Sequence, residues 1–407
     1  MIAFRAVQGL GSGIGIALVV TVVADIFPPA ERAKWQSIFG SIYGVANLIG
    51  PTLGGWLTDH GPTLAPLVTQ ATHWRWIFYI NLPVGMIALA MLLIFLPVDI
   101  SERSQHVVSW AVVRRIDFSG ALLVALATIG LLLELTWGSD ATFGWGAPLV
   151  LGVIVVAGVL YALFLLTESR MGDPIVPLGL FRNRVFTAAA LLTLLQGMAL
   201  LGLTIYLPLF LQGVLGISAT GSGAILTPML VSATVVAVLA GFAISRLKRY
   251  RWIAILGAVV MSAGTFLLTQ LTPSTSLLLA ASAMVITGIG LGVFFAVAPL
   301  AAQNALPQTQ LGVGTAVVKY VGQLGPALGV ALIGAVVNSS LHLSLAVALQ
   351  RGFWVVFVLS GATLLMAFFL KDVPMATSTP TDVKDRTAVC EQEMPAYRRA
   401  ENEWGQD

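Results

Sequence analysis

The stretch LIGPTLGGWL (Leu48–Leu57) places Gly50, Pro51, Gly54 and Gly55 inside a run that carries no charge from Trp35 to Thr58. Glycine and proline are the poorest helix formers in water. In lipid, a spanning segment has to satisfy its own backbone hydrogen bonds, and a single chain segment does this as a helix whose proline is accommodated by neighbours or local adjustment. Pro51 removes one donor and kinks that helix. Gly44, Gly50, Gly54 and Gly55 strip side chains from it, so that a second helix can approach closely where lipid cancels the hydrophobic drive. The stretch therefore reads as a bent, close-packed seam within a membrane protein.

The rest of the chain agrees. Hydrophobic residues make up 57% of it and charged residues 10%, against about 45–50% and about 25% in soluble domains. Apolar runs near the roughly 20 residues that cross a bilayer core recur at 3–24, 37–58, 77–97, 117–136, 148–166, 186–211, 222–244, 252–271, 277–301, 314–338 and 352–370. The expected fold class is all-α, a polytopic membrane protein of about eleven helices. Arg5 and Gln8 interrupt the first run and no small-residue cleavage site follows it, so it is a retained helix rather than a signal peptide.

The net charge of +3 is distributed as a topology signal, not as a nucleic-acid patch. With the first loop cytoplasmic, the inner side collects Arg32, Lys34, Arg103, Arg114, Arg115, Arg170, Arg182, Arg184 and the cluster Arg246–Arg251, and the tail adds Lys371, Lys384, Arg386, Arg398 and Arg399. Arg75 and Arg351 fall in outer loops. The positive-inside rule then makes the C-terminus cytoplasmic. Cys390 stands alone, and His60, His73, His106 and His342 are scattered through loops, so no disulfide, metal site or catalytic cluster is expected. The chain reads as a non-enzyme without cofactor or metal.

The opening motif has an echo: Gly50-Pro51-Thr52-Leu53-Gly54 is matched by Gly325-Pro326-Ala327-Leu328-Gly329. The preceding spans match as well, with a G-x-G-x-G pattern in Gln8–Gly13 and again in Thr287–Gly292. Parallel repeats of this kind build one large class of transporter, with the substrate path between the halves. A seam that recurs in both copies suggests a sliding contact for alternating access. Three spans precede the G-x-G-x-G helix in the second copy and none in the first, so internal symmetry predicts three further N-terminal spans. The G-x-G-x-G runs do not indicate a dinucleotide loop, because both lie in apolar spans with no preceding strand.

These motifs resemble those of the major facilitator superfamily, in particular its fourteen-span drug/proton antiporters. Arg5–Gly13 is similar to the family's fourth-span RxxQGxGxG motif. Gly44–Leu57 resembles the fifth-span antiporter motif, and His73–Pro83 resembles the WRWxFxINxP signature that opens the sixth. Gln212–Pro228 is similar to the connection between the ninth and tenth spans. The resemblance implies a two-bundle fold divided as 1–97, a remnant of the N-terminal bundle; 98–185, two inserted spans; 186–371, a six-helix C-terminal bundle; and 372–407, a cytoplasmic polar tail. It further implies gating or proton linkage for Arg5, Gln8 and Asp25, with the proton gradient as energy source. One departure concerns the tenth span here: where the family shows Asn and Arg before the Gln, this chain has Lys319 and Gly322 before Gln323.

Charged side chains within spans are costly and are functional candidates by default. Lys319 either snorkels to the inner face or faces the cavity to meet an acidic group. Glu134 is the carboxylate that lies well inside a span, near its outer end. Asn47, Gln196, Tyr206, Lys319 and Gln323 form the candidate substrate cavity, with Gln212 as a further polar candidate and Met198, Phe210, Phe294 and Phe295 as apolar surface. Gly325, Pro326 and Gly329 form the second-half seam. The expected function is proton-coupled export of small amphipathic drugs or metabolites across the cell membrane by alternating access. The rival is a non-transporting membrane protein with a structural or regulatory role. The bilayer is the expected partner and nucleic acid is not; oligomeric state is left open.

Overall fold

The computed structural model describes residues 4, 7–9, 11, 46, 49–63, 70–95, 117–138, 144–171, 176–247, 249–306 and 310–372. We number the longer helices α1 (49–60), α2 (Asn81–Phe95), α3 (Phe118–Gly138), α4 (Pro148–Glu168), α5 (Arg184–Gly213), α6 (Ala219–Leu247), α7 (Arg251–Thr269), α8 (Leu277–Asn304), α9 (Leu311–Ser340) and α10 (Leu345–Phe369). No strand occurs among the described residues. Nine helices among them are long and apolar enough to cross a membrane, beginning with the segment His73–Ile94 that contains α2. The chain is an integral membrane protein. The first expected span, 3–24, lies almost wholly outside the described residues, and the second is described chiefly from Ile49 onward.

Most helices overrun their apolar runs. Helix α10 starts at Leu345, seven residues before the apolar run at 352, because Ser344 caps it through Val347 N (3.2 Å) and its polar turn finds partners. Gln350 donates to the Thr269 carbonyl (2.7 Å) and Arg351 to Ser340 Oγ (3.1 Å). Hydropathy marks the hydrocarbon, whereas a capped helix continues through the interface. Asn183 caps α5 in the same way, accepting from Val185 N at 3.0 Å, and Ser276 caps α8.

Helices α5–α10 form one bundle with a continuous core that includes the fully buried Phe186, Phe210, Phe294, Phe353 and Tyr250. The G-x-G-x-G run of α8 explains how three helices converge there. A Cβ at Gly288 or Gly292 would collide with the carbonyls of Met229 or Ala233 on α6, and one at Gly290 with the backbone of Met261 on α7. Alternate residues of a helix point about 200° apart, so the run serves two neighbours at once. At the far end Asp372 caps α7, accepting from Tyr250 N and Arg251 N at 2.9 Å, while the Tyr250 hydroxyl donates to the Lys371 carbonyl (2.6 Å).

Helices α3 and α4 pack on each other and join the bundle through α9. Thr128 of α3 shares hydrogen bonds with Tyr161 of α4 (3.1 Å) and Tyr320 of α9 (2.8 Å), a three-hydroxyl knot within the apolar layer. Residues 81–94 of helix α2 are exposed.

Candidate functional site

The expected seam helix, α1, lies antiparallel to the first turns of α6. Thr52 and Thr227 share a hydrogen bond of 2.7 Å. Seven residues further along α1 and seven back along α6, Asp59 accepts from Thr220 through its backbone N (2.7 Å) and its hydroxyl. Between these clasps lie two glycines. A Cβ at Gly55 would stand 2.5 Å from the Ala219 carbonyl oxygen, and one at Gly223 would strike the Pro51 carbonyl. Each helix thus offers a bare notch to the other's backbone, which is what lets the flanking polar side chains reach across.

Local structure sets this up. Helix α5 ends at Gly213, and the chain turns through Gly216, whose φ of +68° favours glycine. Ile217 N returns to the Leu211 carbonyl (3.0 Å), delivering Ala219 and Thr220 to the end of α1. The first N–H groups of a helix lack internal acceptors, and Asp59 supplies one. Hydrogen bonding from Thr220 holds the Asp59 carboxyl below its ordinary value, with a smaller contribution from His60.

The four seam glycines divide. A Cβ at Gly50 or Gly54 would meet nothing within 4 Å among the described residues, Gly55 is in contact, and Gly44 lies outside the described residues. The second copy of the motif has a different partner from the one expected of a sliding seam between halves. Gly325 and Gly329 pack against the Leu194 and Met198 carbonyls of α5, and Pro326 fits against Gly197, where a Cβ would stand 2.7 Å from its Cδ. That seam lies inside the C-terminal bundle, because α9 and α5 are neighbours there.

The candidate cavity residues also divide. Gln196 is buried and directs its amide to the Leu291 carbonyl of α8 (3.4 Å), and Tyr206 donates to the Val330 carbonyl of α9 (3.0 Å). Both hydrogen bonds join neighbouring helices of the bundle. Phe210 and Phe294 are fully buried, Phe210 edge-on to Phe353 at 5.8 Å, and Met198 is buried as well. Gln212 donates to Ser222 Oγ (2.7 Å). Lys319 and Gln323 are exposed and one turn apart on α9, in line with exposed Ala316, and Phe295 of α8 is exposed too. Glu134 keeps one carboxyl oxygen, Oε2, buried without a hydrogen bond. Gln8 is exposed on its helical segment; Arg5, Asp25 and Asn47 lie outside the described residues. No cluster of three or more His, Cys, Asp or Glu side chains suited to a metal occurs among the described residues.

Asp59, Thr52, Thr220 and Thr227 are absent from the expected site. One signal did mark Asp59: an acid at the C-terminal end of its own helix opposes that helix's dipole, so it has to serve something else.

The chain matches the sequence pattern of the Major Facilitator Superfamily over residues 1–330 and again over 189–402. It belongs to the Major Facilitator Superfamily. It is 34% identical over 339 residues to the multidrug transporter protein MdtP of Bacillus subtilis (strain 168), covering 83% of this chain and 59% of that protein. It is 30% identical over 336 residues to multidrug resistance protein 3 of the same organism, covering 83% of this chain and 61% of that one. The chain thus spans about three fifths of the length of these curated relatives. A bacterial homologue of the human lysosomal transporter Spinster, solved inward-facing and occupied, shares the fold at 15% identity with a TM-score of 0.50, over 87% of this chain and 73% of its own. Members of this superfamily are carriers and not enzymes.

Proposed function

We propose that this superfamily chain belongs to a proton-coupled exporter of small amphipathic organic compounds that works by alternating access in the cell membrane. The observation that carries this reading is the α1–α6 contact. In this reading the two halves of a repeat-built carrier meet, among the described residues, along a glycine-notched pair at the N-terminal end of α6. A contact of that kind closes one side of a path between bundles and has to separate when the bundles rock. The positive-inside distribution makes that side the outer one and leaves the tail in the cytoplasm. The multidrug names of the Bacillus relatives support the cargo class. On the inner side, the exposed stripe Ala316, Lys319 and Gln323 of α9 faces the path in this reading, while Arg5, Gln8 and Asp25 serve gating and proton linkage. The division at 97, 185 and 371 into N-terminal bundle, inserted pair, C-terminal bundle and tail belongs to the same proposal.

Differential binding of proton and substrate to the inward and outward states drives the cycle. The test is uptake of a lipophilic fluorescent cation into everted vesicles holding an acidic interior. Expected is accumulation that collapses when nigericin removes the pH gradient. Accumulation equal to that of vesicles lacking the protein, or unaffected by nigericin, overturns the proposal.

A further inference from the structure

We propose that Asp59 is a gate-positioning residue: by capping the N-terminus of α6 from the opposite half, it holds the outer end of the path closed. This rests on the alternating-access reading above. Three observations converge on it.

The first is electrostatic. Asp59 lies at the C-terminal end of α1, where its own helix dipole disfavours an acid, and at the N-terminal end of α6, where the dipole and unpaired N–H groups favour one. The carboxylate gains from α6 what it lacks at home, so its favourable setting exists only while the halves touch. The second is register. Thr52 with Thr227 and Asp59 with Thr220 are each seven residues apart along both helices, two helical turns, and run antiparallel. Both polar clasps thus lie on one face with the Gly55 and Gly223 notches between them, so they engage and release together. The third is location: both clasps join α1 to α6, and neither contributes to the C-terminal core. When the outer side opens, Thr220 N exchanges the carboxylate for water, and Asp59 sets how readily that happens.

The test uses the full chain with Cys390→Ser, which removes its single cysteine. Thr52→Cys with Thr227→Cys replaces the hydroxyl pair 2.7 Å apart and reads the closed state as the rate of disulfide formation under copper phenanthroline in membranes. Expected is a rate at least about fivefold lower when Asp59→Ala is added, within the usual range of coupling between states, and largely recovered with Asp59→Asn, which keeps an acceptor. In a separate variant, Ala316→Cys reports the inner side through an impermeant maleimide in inside-out vesicles, and Asp59→Ala should reduce its labelling. An unchanged disulfide rate overturns the proposal. So does a slower disulfide accompanied by increased inner labelling, since that is general loosening rather than a shift from one state to the other. The readouts need no cargo. A chain that exports nothing yet shows the reciprocal shift therefore defeats the export reading and keeps the gate.

Discussion

The segment His73–Ile94, which contains α2, and helix α8 are similarly apolar and long enough to span, yet they occupy opposite environments. None of the apolar window of the α2 segment is buried within the chain, against 56% for α8. The difference lies in their glycines. Gly85 of α2 has nothing within 4 Å of a Cβ among the described residues, whereas Gly288, Gly290 and Gly292 of α8 each rest on a neighbour's backbone. Apolar content assigns a helix to the membrane, because lipid accepts it anywhere. Small residues assign it to a neighbour, because backbone approach is the attraction left when burial gives no advantage over lipid. The α1–α6 seam stands between these extremes, with one tight glycine on α1 and polar clasps on either side.

The sharpest way to break the contrast is to fill a notch in the bundle. Gly329→Val forces a side chain into the Met198 backbone, where overpacking costs about 1–3 kcal/mol or more. Expected is loss of most monodisperse protein on size-exclusion chromatography in detergent. Gly55→Val meets the Ala219 carbonyl at 2.5 Å but lies outside the bundle core. The protein should therefore stay monodisperse while vesicle export falls about tenfold, equivalent to ~1.4 kcal/mol. A fall in both would mean that the seam carries folding as well as gating.

Smaller effects sharpen the comparison. Tyr320→Phe removes the hydroxyl joining α3 to α9, a loss of about 1 kcal/mol. A thermal midpoint lowered by a few degrees is expected; adding Thr128→Val should lower it further, but by less than the sum of the two single changes, since the Thr128–Tyr320 bond is counted in both while the Thr128–Tyr161 bond goes only with Thr128. Acidity is expected to matter less. Asp59 has its carboxyl lowered in the closed state, chiefly by hydrogen bonding from Thr220. Its contribution is then complete above the ordinary carboxylate value of about 4 and is lost as pH falls through the lowered one. The Thr52–Thr227 disulfide rate, corrected for thiol ionisation, should be flat from about pH 5 to 8 and decline only below about pH 4. A decline centred near neutrality would show that another titrating group governs the seam. The smallest effect belongs to Gly54→Ala, whose Cβ meets nothing within 4 Å among the described residues and should leave export and thermal stability unchanged.

Much of the fold was legible in the sequence. The expected start of the fifth run at Pro148 and of the ninth at Leu277 coincides with the helices α4 and α8. The ends were less legible: α9 begins at Leu311 and α10 at Leu345, where polar residues continue the helix beyond the apolar run. The site was legible as motifs and not as partners. Gly54 and Gly329 hold the same place in two copies of one pattern, yet a Cβ at Gly54 meets nothing within 4 Å among the described residues while one at Gly329 strikes the backbone of α5. Gln196 and Tyr206 fit a cavity by composition, but their polar ends are taken by the Leu291 and Val330 carbonyls. A polar atom's partner lies on another helix, and nothing in its own segment records which.

By itself, the sequence determined that this chain is helical and crosses the membrane repeatedly. An apolar backbone in lipid has to close its hydrogen bonds within each segment, and that need is local. Its glycine and proline spacings also recur, as GPxLG at Gly50–Gly54 and again at Gly325–Gly329, a pattern that survives whatever lies alongside. Only the tertiary structure decided that Asp59 serves α6 rather than its own helix, that Thr52 finds Thr227, and that a Cβ at Gly50 or Gly54 meets nothing within 4 Å among the described residues while one at Gly55 does. Those outcomes depend on distances between segments more than 160 residues apart. Close packing, not local propensity, selects them.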